Sequence, residues 1–238
     1  MENKAHIPVI ILTGGNGIRL GENGENIPKT MVCIHGKPLL QYIIEHYIKF
    51  GYQKFILCAG KGKEMVMDFV KNYTTNVEIT VVDTGIENRT GSRLAQVSDL
   101  AKDSECIALT YGDTYSDVDL DKVLECHIKS GKKATLLAVN NPTRFRILGL
   151  VDNDNTVRGF ASKPVLEKDF INGGFFFLKP GVFLSKNLSK EENCTFENEV
   201  LEELVREKEL NSCRHLGVWV PVDCERDIST LEQIIKLK

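Results

Sequence analysis

The chain has 238 residues, of which 42% are hydrophobic and 26% charged. A chain of that length and balance buries enough surface to fold without disulfide or metal staples, and it is neither disordered nor collagen-like. With 30 Lys and Arg against 33 Asp and Glu its formal charge is −3, so it lacks the basic footprint of a nucleic-acid binder, and no apolar run approaches the roughly 20 residues that span a bilayer.

The first six residues have no apolar core ahead of a small-residue cleavage site, so they do not read as a secretory signal. The seven cysteines, at 33, 58, 106, 126, 194, 213 and 224, are odd in number and contain no C-x-x-C pair. They read as reduced, mostly buried thiols of a cytosolic protein.

A near-continuous apolar run over residues 7–12 predicts a strand buried on both faces. Leu39, Leu40, Ile43, Ile44 and Tyr47 repeat at helical spacing after Pro38. A strand over 54–59, a helix over 65–70, a strand over 77–82, a short helix over 93–100 and a strand over 106–111 follow. Leu120, Val123, Leu124 and Ile128 define the next helix, with Asp119 as its N-cap, before a strand over 134–139. This alternation predicts an α/β fold with a doubly wound, mostly parallel, Rossmann-like sheet. Beyond residue 140 the order changes. Strands over 147–151, 157–160 and 171–178 come with no long helix between them and predict an antiparallel extension of the sheet in the C-terminal half. Phe196, Val200, Leu201, Leu204 and Val205 mark another amphipathic helix, and a last one covers about 230–237. With no Pro-, Gly- or Ser-rich linker, one domain over 1–238 is expected, with a nucleotide-binding part over about 1–140 and an acceptor-binding part over about 141–238.

The first strand runs into Leu12-Thr13-Gly14-Gly15-Asn16-Gly17-Ile18-Arg19-Leu20. Clustered glycines after a buried strand let the backbone approach a ligand closely. The loop is not a Walker A loop, and Leu20 stands where a dinucleotide fingerprint needs its third glycine. Arg19, with Lys29 ten residues on, adds two cations suited to a triphosphate tail. Taken alone, the segment is equally well a tight β–α turn with two solvated cations. Asp113 follows the strand over 106–111, and in open α/β sheets ligands sit outside the carboxyl ends of strands. An acid there can hold Mg2+, which prefers one or two carboxylates plus phosphate oxygens. Asp117 and Asp119 read as capping or solvated. Farther on, Lys163 precedes a proline, and Asn172-Gly173-Gly174 interrupts a strand. Paired glycines there point to close approach of a ligand or another backbone.

Taken in order, Gly-Gly-x-Gly-x-Arg-Leu, Pro-Lys-x-Met-Val, Gly-Lys-Pro, Tyr-Gly-Asp, Lys-Pro, Asn-Gly-Gly-Phe and a late Trp-x-Pro-x-Asp resemble the sugar-1-phosphate nucleotidyltransferases over almost the whole chain. Thr90-Gly91-Ser92-Arg93-Leu94, Tyr111-Gly112-Asp113 and Phe196-Glu197-x-Glu199 are similar to the glucose-1-phosphate cytidylyltransferase branch. The resemblance implies transfer of a nucleotidyl group from CTP, or another NTP, to a sugar 1-phosphate, with Mg2+ as cofactor and neither nucleic acid nor membrane as partner; it also allows a homo-oligomer. It implies catalytic roles for Arg19 and Lys29, and metal ligation by Asp113 and Asp223. Nucleotide binding falls to Leu12, Gly14, Gly15, Gly17, Thr90, Gly91, Arg93 and Gly112, and acceptor binding to Lys163, Asn172, Gly173 and Glu197. Ile18, Thr30 and Ser162 depart from the family's usual Thr, Pro and acid, and the stretch between Phe69 and Val82 is short. Ser162 and the short stretch bear on which phosphorylated acceptor is used. Other acceptors, other nucleotides (UTP, GTP, dTTP) and a non-catalytic nucleotide-sugar sensor are the competing expectations.

Overall fold

The structure is a computed structural model that describes residues 4–15, 18–20, 25–140, 147–150, 157–161, 170–185, 188–190 and 193–237. Seven strands form the central sheet: β1 (Pro8–Leu12), β2 (Lys54–Ala59), β3 (Glu78–Asp83), β4 (Ile107–Tyr111), β5 (Ala134–Asn140), β6 (Phe170–Leu178) and β7 (Leu210–His215). Their order across the sheet is β7-β5-β6-β4-β1-β2-β3. Neighbours pair in parallel except β6, which runs antiparallel to both β4 and β5.

The apolar run of β1 is buried at all five positions. Val9 and Ile11 face one core cluster, Ile10 and Leu12 the other, as a strand of period two requires when both faces are covered. The first cluster takes the buried stripe of α1 (Leu39–Lys49), with Leu120, Val123 and Leu124 of α4 (Leu120–Ser130). The second takes Leu94 and Val97 of α3 (Thr90–Val97), then Phe196, Val200 and Leu201 of a π-helical turn (Phe196–Leu201) that continues into α5 (Glu202–Arg206). Helix α2 (Lys63–Asn72) joins β2 to β3, and α6 (Glu225–Lys236) packs Leu231 on the first face. The result is three layers, helix on sheet on helix. Asp119 caps α4 as expected, its side chain accepting from the Lys122 amide at 3.2 Å.

Three features differ from the sequence reading. The antiparallel strand β6 is present, but inside the sheet; six consecutive residues, Gly173 to Leu178, are buried there, which suits a central strand. Ile147–Leu150 and Val157–Ala161 pair with each other as a separate antiparallel ribbon. Helices α3 and α6 begin earlier than their apolar periodicity indicates, and β7 was not anticipated. All seven cysteines are free, but only Cys58, Cys106 and Cys194 are buried, while Cys33 is exposed and the other three half-buried. Burial pushes the Cys58 thiol up to about 12. No helix among the described residues is long and apolar enough to cross a membrane.

Candidate active site

From β1 the chain proceeds to β2 and β3 on one side, then returns to lay β4 on the other. The carboxyl ends of β1 and β4 therefore flank a topological switch point, where open α/β sheets bind ligands. Leu12 and Tyr111 are register partners at those ends, and the Gly112 amide donates to the Leu12 carbonyl at 3.1 Å. The turn after β1 is pinned from the other side. The Thr13 amide, the Thr13 hydroxyl and the Gly14 amide all donate to the Cys58 carbonyl, at 3.1, 2.9 and 3.0 Å. Between the two strand ends lies a cleft of about 400 Å³. Its lining includes Leu12, Gly14, Gly15, Lys29, Thr90, Gly112 and Asp113, seven of the residues singled out from the sequence.

Beneath the turn lies Arg93, only 3% exposed. Its guanidinium donates to the Ala59 carbonyl, the Thr84 hydroxyl and the Ile86 carbonyl, at 3.2, 2.7 and 3.3 Å. These acceptors are neutral, and burial pulls the guanidinium pKa down. A side chain at position 14 would collide with that group, since a Cβ there would sit 2.2 Å from an Arg93 nitrogen. Glycine at 14 is thus required by a cation packed directly below the turn.

The acids come from opposite halves of the chain. Asp113 directly follows β4 and Gly112. Thr114–Ser116 then pairs with Trp219–Pro221, and the Val222 amide donates to the Asp113 carbonyl at 2.8 Å. Asp223 is thereby delivered beside Asp113. Its own amide donates at 3.0 Å to the Asp227 side chain, which also accepts from the Cys224 amide at 3.1 Å as the N-terminal cap of α6. Lys29, in a single 3-10 turn (Lys29–Met31) after Pro28, reaches both acids: its ammonium lies 2.5 Å from Asp223 Oδ1 and 3.2 Å from Asp113 Oδ2. Partial burial lowers the Lys29 pKa, but bonding to Asp223 and the charges of both acids outweigh it, so the net shift is upward.

Two carboxylates that already share one cation fit a hard divalent ion. No cluster of three or more metal-ligating side chains exists among the described residues. Mg2+ does not need one when phosphate oxygens and water complete its shell.

On the far wall, a hydrogen-bond chain links Thr90, Glu197 and Asn172 through Tyr111. Thr90, at the start of α3, donates to Glu197 Oε2 at 2.6 Å and accepts from the Phe196 amide at 2.9 Å. The Tyr111 hydroxyl donates to Glu197 Oε1, and Asn172 Nδ2 donates to the Tyr111 hydroxyl at 3.4 Å. Burial, then the Glu197 charge, push the Tyr111 pKa well upward. Gly91 lies buried in α3, and Gly173 lies buried against Leu137 and Val139, its carbonyl accepting from the Trp219 indole at 2.8 Å. Gly17 and Lys163 fall outside the described residues, as does the side chain of Arg19.

Residues 8–227 match the nucleotidyl transferase family. The chain is 36% identical over 245 residues to the glucose-1-phosphate cytidylyltransferase of Salmonella typhimurium, covering 94% of this chain and 93% of that protein. The chain belongs to the sugar-1-phosphate nucleotidyltransferase family. It is an enzyme of that family, with the fold that the sheet predicted. It is also 29% identical to the D-glycero-alpha-D-manno-heptose 1-phosphate guanylyltransferase of Campylobacter jejuni, over 92% of this chain and 95% of that protein. Among solved structures, HddC from Yersinia pseudotuberculosis complexed with GMP-PN superposes with a TM-score of 0.71 at 22% identity, over 98% of this chain and 100% of that one.

Sequence reasoning left out Tyr111 and Asp227. Tyr111 stood in view within Tyr-Gly-Asp, but an aromatic at a strand end reads as core. Asp227 lies three residues after Cys224, a spacing that signals a capping box only when Ser or Thr leads it.

Proposed function

We propose that this nucleotidyltransferase joins CTP and a sugar 1-phosphate, glucose 1-phosphate first, to give a CDP-sugar and pyrophosphate. The observation that carries the reading is the meeting of Asp223 with Lys29 and Asp113, two residues that line a glycine-walled cleft. The higher identity to a cytidylyltransferase than to a guanylyltransferase supports the choice of base.

In the reaction a phosphate oxygen of the acceptor bonds to the α-phosphorus of the nucleotide, and the bond from that phosphorus to the bridging oxygen of pyrophosphate breaks. The nucleophile is already an anion, so no proton need be removed. The barrier lies in bringing two anions together and in charge on the α-phosphoryl oxygens. Mg2+ held by Asp113 and Asp223 would neutralise part of that charge. Lys29 would turn from the carboxylates to a phosphate near the reacting phosphorus. Arg19 would hold the triphosphate, and Lys163 the acceptor's phosphate. The backbone at Leu12, Gly14, Gly15, Gly17 and Gly112, with Thr90 and Gly91, would seat the nucleoside, and Arg93 would support that turn from below. Asn172, Gly173 and Glu197 would line the sugar side. Positioning of this kind supplies much of the rate in phosphoryl transfer.

A second reading, the same transfer from GTP, is favoured by the likeness to the heptose 1-phosphate guanylyltransferase. Pyrophosphate release measured for CTP, UTP, GTP and dTTP against several sugar 1-phosphates with Mg2+ decides between them. CTP with glucose 1-phosphate is expected to exceed every other pair by at least about tenfold in kcat/KM, equivalent to about 1.4 kcal/mol of transition-state binding. A GTP optimum establishes the second reading, and release from no pair defeats both.

A further inference from the structure

We propose that Tyr111 is a positioning residue, whose hydroxyl fixes the Glu197 carboxylate in the orientation that receives the hydroxyl groups of the phosphorylated acceptor. The role rests on the transfer reaction proposed above.

Both oxygens of Glu197 are engaged by the protein, Oε1 by Tyr111 and Oε2 by Thr90. An ionised carboxylate has about four acceptor positions. Two fixed donors therefore leave room for two more hydrogen bonds in set directions, which suits neighbouring hydroxyls of a sugar better than a lone cation. Thr90 lines the same cleft, so one side of the carboxylate is tied to the nucleotide wall and the other to the central strand.

The placement of Tyr111 is itself over-determined. Its ring packs on Phe176, centroids 5.5 Å apart. The β5–β6 register shifts between Leu136 and Ala138, opposite a bulge at Gly173 and Gly174. Gly174 has φ +76°, and a Cβ there would lie 2.8 Å from the Tyr111 ring. The paired glycines predicted close approach of a ligand or another backbone; at Gly174 the neighbour is instead this side-chain ring. The bulge also turns Asn172 back, with its Oδ1 accepting from the Gly174 amide at 2.9 Å and its Nδ2 donating to Tyr111. The bulge and the left-handed glycine thus fix the base of the ring, and the amide engages its hydroxyl. A tyrosine kept only for packing needs neither the amide nor the carboxylate at its hydroxyl.

The test is steady-state kinetics on the full chain, varying nucleotide and acceptor separately, for wild type, Tyr111→Phe, Glu197→Gln and the double variant. Phenylalanine keeps the ring and removes only the donor. The acceptor KM is expected to rise about tenfold in Tyr111→Phe while the nucleotide KM moves less than about twofold, because a charge-assisted bond to one substrate's ligand is lost. The double variant is expected to be no worse than Glu197→Gln alone. An unchanged acceptor KM, an equal rise in both KM values, or additive losses would overturn the role while the reaction stood. A wild-type enzyme that turns over no nucleotide–acceptor pair would overturn the reaction, and the role with it.

Discussion

Lys29 has two settings to serve in the proposed reaction. Its ammonium bridges two like-charged carboxylates, and in the proposed turnover it would turn to phosphate. Methionine at 29 keeps the stem and removes the charge, leaving Asp113 and Asp223 to repel each other until a divalent ion arrives. Mg2+ is therefore expected to raise the melting temperature of Lys29→Met more than that of wild type, by about 2–4 °C for each kcal/mol of repulsion relieved. A differential scan with and without Mg2+ reads this directly, and an equal shift in both proteins would contradict the arrangement. The Lys29 contribution is insensitive to pH near neutrality. Its pKa is raised, so the pairing is complete below the ordinary lysine value and is lost only as pH climbs through the raised one. Residue by residue, Lys29 and Asp113 could be picked from sequence, because each is a charged group at a strand end or beside a glycine turn. Asp223 could not: nothing in its neighbourhood points to Asp113, and only the family pattern named it. Arg93 was found as a candidate, but its place beneath Gly14 is a matter of packing that no spacing records.

The cap of α6 joins stability to the site. Asp227 accepts from two amides, one of them that of Asp223. Asp227→Ala is expected to cost about 1 kcal/mol, as loss of a helix cap does, and to lower the melting temperature by about 2–4 °C. Because the same change frees the backbone of Asp223, one of the two acids proposed to hold the metal, kcat is expected to drop as well; a fall in melting point with full kcat would show that Asp223 is held by other means. Most helices and strands were legible where apolar residues repeat over enough positions, as in β1, β2, α1 and α4. The failures have physical causes. Strand β7 (Leu-Asn-Ser-Cys-Arg-His) carries little apolar signal and is held by its ladder to β5. The first turns of α3 and α6 are polar, so periodicity starts after the helix does. The place of β6 inside the sheet follows from tertiary pairing, although its run of buried aromatics fits a central strand.

At the scale of the molecule, the two-faced core seals an imidazole in one of its layers. His127 of α4 is 3% exposed, with Nδ1 3.0 Å from the Thr135 hydroxyl. Burial, helped by the charge of Lys179, holds its imidazole down at about 4 against an ordinary 6.5. The unfolded chain then takes up a proton between those values while the folded one does not. Stability from this group is intact above pH 6.5 and falls as pH drops toward 4, by up to about 3 kcal/mol. Urea midpoints measured across that window are expected to decline less steeply in His127→Gln than in wild type, and parallel curves would remove His127 as the source.

The pairing of Trp219–Pro221 with Thr114–Ser116 has a consequence for the order in which the enzyme comes into being. Lys29 and Asp223 are 194 residues apart in the chain, and three residues of ladder plus one helix cap bring them together. A ribosome therefore makes the glycine turn, the lysine and the first acid long before it makes the second. Nascent chains can shape the cradle early but cannot bring the second of the two carboxylates to the first until synthesis has passed Asp223, so the proposed chemistry would wait on the helix that caps it.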